Sequence, residues 1–187
     1  MSLNKIKKAL KAAGHPDRIE QLKIVAPGAT GAYGVRMPVI NDLAKEYKDG
    51  GFELVEELWK SGAYEEKILA AKIIRLIAKQ DPERAMVLVE KYADGIDNWA
   101  VCDTLGMQSL KSINKIRTKE VFELANRLSE SKNMWLRRLS LVLVEDFNKR
   151  PELHPAILKL IKKQKSDKEY YIKRAVVWLE SSMDKHV

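Results

Sequence analysis

The spacing of apolar residues constrains this chain most. They recur at three and four positions and almost never at two, which leaves little room for strands. The clearest runs are Ile68, Leu69, Ala71, Ile73, Leu76 and Ile77; Leu136, Leu139, Leu143, Val144 and Phe147; and Ile172, Ala175, Val176 and Leu179. Each carries apolar residues on more than one face, as a helix sandwiched between neighbours requires. The punctuation agrees. Asp81-Pro82-Glu83 is an N-cap followed by proline at the first helical position and an acid in the first turn. Gly50-Gly51, Gly62 and Gly95 fall where helices should stop or start. The pattern predicts helices over 3–13, 16–25, 37–48, 52–61, 64–79, 82–93, 97–109, 117–131, 133–148, 151–164 and 168–183.

These helices pair. The members opening near Glu65, Asn98, Asn133 and Glu169 begin 33, 35 and 36 residues apart, each preceded by another helix. A two-helix period of that size without a strict consensus predicts an all-α, HEAT-like α-solenoid, a superhelical array of antiparallel helix pairs. Residues 26–36 form the only long loop, and no linker or low-complexity stretch interrupts the chain, so residues 1–187 are expected to be one domain.

Composition narrows the function. Lys and Arg number 34 against 26 acids, a net charge of +8. The excess is concentrated at the two ends: +4 over residues 1–26, −2 over 27–130 and +6 over 131–187. Regional basicity of this kind suits a phosphate-binding surface, although a solvated basic face would look the same. No stretch approaches the roughly 18 apolar residues of a membrane span. Met1 to Lys11 has no signal-peptide core, and a single cysteine, Cys102, allows no internal disulfide. A cytoplasmic, monomeric protein that does not engage membranes is the expectation.

Four residues stand out. Trp99 and Asp103, four apart, share one face of a helix. Arg138 lies 39 residues after Trp99, and Trp178 lies 40 after Arg138. In an array with a period in the high thirties, such positions stack on equivalent faces and converge on one groove. Singly, each has an ordinary explanation: core filler for a tryptophan, surface acid for Asp103, exposed charge for Arg138. Their joint spacing is what sets them apart.

Here the chain resembles the AlkD-like DNA alkylation repair glycosylases. The resemblance runs through Trp99-Ala-Val-Cys-Asp103-Thr, Met134-Trp135-Leu-Arg-Arg138 and Tyr170-Tyr-Ile-Lys-Arg-Ala-Val-Val-Trp178. Gly34-Val-Arg-Met-Pro38, Leu58-Trp59 and Tyr64-Glu65-Glu66 extend it. It implies an enzyme that binds duplex DNA and excises positively charged N3- and N7-alkylated purines without a cofactor. Asp103 would be catalytic, Trp99 and Trp178 would pack against the sugar and backbone at the lesion, and Arg138 would contact a phosphate. Arg137, Lys173 and Arg174 are expected as further DNA contacts. The Gly/Ala-rich stretch before Gly34 stands where the family carries aromatics.

The chemistry fits these roles. A cationic alkylpurine is already a good leaving group, and the transition state gathers positive charge on the deoxyribose. One carboxylate can stabilise that charge and deprotonate the attacking water. Flat aromatic faces suit an electron-poor sugar.

Other candidates are weaker. Arg150, Lys159, Lys162, Lys163, Lys165 and Lys168 form the densest basic run, offering either phosphate contacts or a solvated helix face, and Lys5, Lys7, Lys8 and Lys11 form a second. His15, His154 and His186 lack partners at metal-ligand spacing, so no metal site is expected. Cys102 reads as a buried thiol, and Trp59 and Trp135 as packing anchors. Two rival readings survive: a DNA-structure-binding protein without catalysis, and a protein-interaction scaffold.

Overall fold

The computed structural model describes residues 3–184, so His186 lies outside the described residues. The helices are α1 (Leu3–Ala13), α2 (Pro16–Val25), α3 (Met37–Tyr47), α4 (Gly51–Ser61), α5 (Tyr64–Ile77), α6 (Pro82–Ala93), α7 (Trp99–Gln108), α8 (Thr118–Leu128), α9 (Met134–Val142), α10 (His154–Gln164) and α11 (Tyr170–Met183). Among the described residues there is no strand, as the apolar spacing predicts.

The chain is an all-α helical repeat. One layer runs α3–α5–α7–α9–α11, each helix packed on the next. A second layer follows, with α4 on α5, α6 on α7, α8 on α9 and α10 on α11. The buried apolar residues form a continuous cluster from Ile6 to Met183, so each helix of the first layer is covered on one side. Burying that side is what makes short helices persist, because isolated segments of 9 to 14 residues are marginal in water.

Two predicted helices are corrected. The segment 133–148 ends its α-helix at Val142 and continues as a 3₁₀ turn over Glu145–Lys149. Leu141, Val142, Leu143 and Val144 are all buried. Four consecutive buried residues cannot lie on one stripe of a straight helix, and the chain turns over to cover them. Its hydrogen bonds accordingly shorten to three residues, Val144 N–H to Leu141 O and Phe147 N–H to Val144 O. The predicted helix 151–164 begins only at His154, after a 3₁₀ turn at Pro151–Leu153. Pro155 has no N–H to give residue 151, so it stands in the first turn of α10 rather than inside it.

The long loop is pinned by a buried carboxylate. Glu65, fully buried in the first turn of α5, accepts backbone N–H bonds from Tyr33 (2.9 Å), Gly34 (2.8 Å) and Val35 (3.0 Å). Glu66 accepts from the Tyr33 hydroxyl at 2.7 Å, and Tyr64 N–H bonds Thr30 O at 3.0 Å. Residues 30–35 are thereby fixed against α5, and their anchorage sets where Val25 and Pro27 emerge beside α7.

Candidate active site

Two asparagine caps set the register of the site helices. Asn98, fully buried, accepts from Ala100 and Val101 N–H (3.0 Å each) and starts α7 at Trp99. Asn133 accepts from Trp135 N–H at 2.9 Å and starts α9. Such caps are worth about 1 kcal/mol each. Here they also fix the phase that aims Asp103 and Arg138 at one another. Gly106 lets the two helices approach: a Cβ there would stand 2.5 Å from Val142 Cγ2 and 3.0 Å from Leu139 Cδ1.

Across that close contact Arg138 grips Asp103 with both arms of its fork. Nε donates to Oδ1 and Nη2 to Oδ2, each at 2.8 Å, while Nη1 donates to the Tyr171 carbonyl. The Arg138 side chain is 9% exposed and that of Asp103 is 21% exposed. Tyr171 is held in turn by the Trp135 ring, 5.0 Å away between centroids. Burial pushes the Asp103 carboxyl above the ordinary aspartate value, and the charge and hydrogen bonds of Arg138 pull part of the way back.

The open side of Asp103 gives onto a cleft of about 500 Å³. It is lined by Trp99, Asp103, Arg138 and Trp178, the four residues singled out by spacing, together with Arg174, Tyr170 and Tyr171. The far wall is the end of α2 and the start of the loop, Ile24, Val25 and Pro27. Trp99 is tied to that wall, its indole N–H donating to Val25 O at 2.7 Å. Trp178 is 37% exposed. The cleft therefore joins a clamped carboxylate to a half-open aromatic box with the Arg174 guanidinium at its rim.

The remaining expectations divide. Arg174 lines the cleft, whereas Lys173 and Arg137 do not. Arg137 is occupied within the fold, donating to Asp167 at 2.7 Å and to the carbonyls of Ser131 and Lys132. The fork of Arg138 faces Asp103, and the same residue lines the cleft. Half of the basic run on and near α10 is paired, Lys163 with Glu130, Lys165 with Glu180 and Arg150 with Glu152. Cys102 is buried, and burial, then the Asp103 charge, pushes its thiol far up, away from nucleophilic use. Trp59 stacks on Tyr92 at 4.4 Å, a packing anchor as expected. Among the described residues no group of three His, Cys, Asp or Glu side chains could hold a metal ion, and no helix is long and apolar enough to cross a membrane.

Sequence reasoning missed Ile24, Val25, Tyr170 and Tyr171. Exposure in the fold, which the sequence does not show, marks three of them. Ile24 (81% exposed) and Val25 (57%) sit on a helix with no buried residue, and Tyr170 is 66% exposed. Exposed apolar residues clustered at a cleft mark a contact surface.

A family model of the DNA alkylation repair enzymes matches residues 6–186, and the chain belongs to that family. No curated protein matches it. The chain is therefore an enzyme of DNA repair, with DNA as its partner.

Proposed function

We propose that this protein is a monofunctional DNA glycosylase, acting as a monomer and without a cofactor, that hydrolyses the N-glycosidic bond of positively charged N3- and N7-alkylpurines in duplex DNA. The observation that carries the reading is the bidentate Asp103–Arg138 pair opening into an aromatic cleft. A carboxylate clamped in this way is orientated before substrate arrives and needs no reorganisation during the reaction. As the C1′–N bond lengthens, electrons flow to the cationic purine, which leaves neutral. Asp103 stabilises the positive charge left on the sugar and takes a proton from the water whose oxygen bonds C1′. Trp99 and Trp178 flank the sugar, Arg174 meets a neighbouring phosphate, and Arg138 acts on the carboxylate. No lysine lines the cleft among the described residues, so the product is an abasic site on an uncut strand.

The test is single-turnover excision from duplex DNA carrying one N7-methylguanine, wild type against Asp103→Asn. Base release by wild type, with a drop of about 10²–10³ in the variant, is expected. The rival, a DNA-structure binder without catalysis, has one observation in its favour, since both Asp103 oxygens already have partners, as in a purely structural pair. Tight binding by wild type with no base released from N7-methylguanine or N3-methyladenine duplexes would decide for it.

A further inference from the structure

Five charged residues are buried: Glu65, Glu66, Lys67, Lys72 and Arg138. Four have an opposite charge or backbone donors beside them, although Glu66 Oε2 has no hydrogen-bond partner among the described residues. Glu65 takes three backbone N–H bonds, Glu66 has the Tyr33 hydroxyl and Lys7, Lys67 pairs with Asp97 at 2.7 Å, and Arg138 holds Asp103. Lys72 is the exception. Its ammonium is 3.0 Å from the neutral Gln108 Oε1, and among the described residues it makes no ion pair. The charge that acts on it is another cation, Arg75, exposed and likewise without an ion pair among the described residues. Burial, then Arg75, holds the Lys72 ammonium below the ordinary lysine range. A buried cation without a counter-ion is costly, and an incoming anion would offset that cost.

The surroundings are built to receive one. Lys72, Arg75 and Gln108 line a second cleft of about 310 Å³ with Asn41 and Lys45 of α3 and the half-exposed Leu76. Three cations, of which Lys45 already pairs with Asp42 at 3.1 Å, two amides and the apolar Ala44 and Leu76 match a phosphodiester with its sugar. This cleft and the first both touch α7. On α7, Val101, Cys102 and Leu105 are buried. Asp103 lines one cleft, and Gln108, about 140° further round the helix at 100° per residue, lines the other. The second cleft is displaced towards α5 and α3, by one to two helix spacings of about 8–10 Å each. A duplex lying over the layer, with its closely spaced backbone charges, reaches both.

We propose that the Lys72–Arg75 cleft is a second DNA anchor, binding a backbone phosphate remote from the nucleotide in the Asp103 cleft. It rests on the DNA-binding part of the proposed function and not on its chemistry. The lysine is preorganised by Gln108, and its charge is completed only by the incoming phosphate.

The experiment is the salt dependence of binding to an undamaged duplex between 50 and 200 mM salt, for wild type, Lys72→Met, Arg75→Gln and the double variant. One lost phosphate contact lowers the slope of log affinity against log salt by about 0.9, which is about 3.5-fold in affinity across that range. Each single variant is expected to show this loss, and the double variant little more, because both cations serve one phosphate. Lys119→Gln, removing a charge on α8 outside the cleft, is expected to leave the slope unchanged. Wild-type slopes in both cleft variants, or an equal loss in Lys119→Gln, would overturn the anchor. Inorganic phosphate raising the melting temperature of wild type but not of Lys72→Met, with DNA slopes unchanged, would assign the cleft to free phosphate and overturn it equally. Wild type without salt-dependent affinity for duplex removes both this proposal and the glycosylase reading. An intact slope change with no base excision removes only the latter.

Discussion

Two carboxylates, one fully buried and one partly so, 38 residues apart on neighbouring helices of one layer, show how burial separates structure from chemistry. Glu65 is fully buried, and both its oxygens accept backbone N–H bonds from one loop. Asp103 also accepts on both oxygens, but from a single arginine, and its side chain keeps a 21% exposed edge on the cleft. The first is satisfied by backbone that cannot move without unfolding. The second is satisfied by a side chain and faces the space where a sugar would sit. Saturation with no open edge makes an anchor; saturation with one makes a reagent held ready.

The largest effects should divide the two carboxylates cleanly. Asp103→Asn is expected to cost about 10²–10³ in the rate of N7-methylguanine excision. Its amide can still accept one bond from Arg138, so most of the fold's stability should remain. Glu65→Ala should do the reverse. It strips acceptors from three N–H groups near the buried end of the loop, at about 1–3 kcal/mol for each one left buried and unpaired. At 2–4 °C per kcal/mol for a chain of this size, a fall of about 10 °C or more in melting temperature is expected. Excision per folded molecule should stay within about tenfold of wild type. Melting curves beside single-turnover rates check both, and a Glu65→Ala protein that melts like wild type would break the contrast.

A smaller effect should follow from Gly106→Ala. The new methyl would meet Val142 and Leu139 at 2.5 and 3.0 Å, and the Leu143 backbone nitrogen at 3.3 Å, so α7 and α9 must separate. Overpacking of this kind costs about 1–3 kcal/mol. Because the same contact brings Asp103 to Arg138, excision should fall more than the stability loss alone explains. Equal proportional losses would show that helix spacing does not tune the site.

These positions also mark what the sequence could reveal. Trp99, Asp103, Arg138 and Trp178 are legible because helical faces repeat, and spacing of four, 39 and 40 residues carries them to one groove. Spacing says which faces stack, not where a guanidinium turns, so the fork of Arg138 onto Asp103 is invisible until the helices are packed. Glu65 in sequence looks like any acid favoured by a helix N-terminus; its three bonds reach a loop some 30 residues away. Lys72 looks like the polar interruption of an apolar run, and nothing local shows that it lacks a counter-ion. Long-range pairing is what the pattern withholds.

The subtlest way to sharpen the comparison is pH. Burial raises the Asp103 carboxyl above its ordinary value, with Arg138 opposing. The reactive form is the carboxylate, so single-turnover excision should fall as pH drops through a midpoint above about 3.9, the ordinary aspartate value. For stability the sign is opposite: a raised folded pKa means the fold holds that proton more tightly than the unfolded chain does. Protonating Asp103 therefore favours folding below its unfolded value, and that advantage is lost as pH rises through the folded one. Arg138→Lys keeps the positive charge and loses the fork, so less opposes burial and the acid limb should move further up. At neutral pH its rate should fall by a few-fold to about tenfold. Rate profiles of the two proteins between pH 4 and 8 check this, and an unmoved limb would mean that the charge of residue 138, and not its geometry, holds Asp103 ionised.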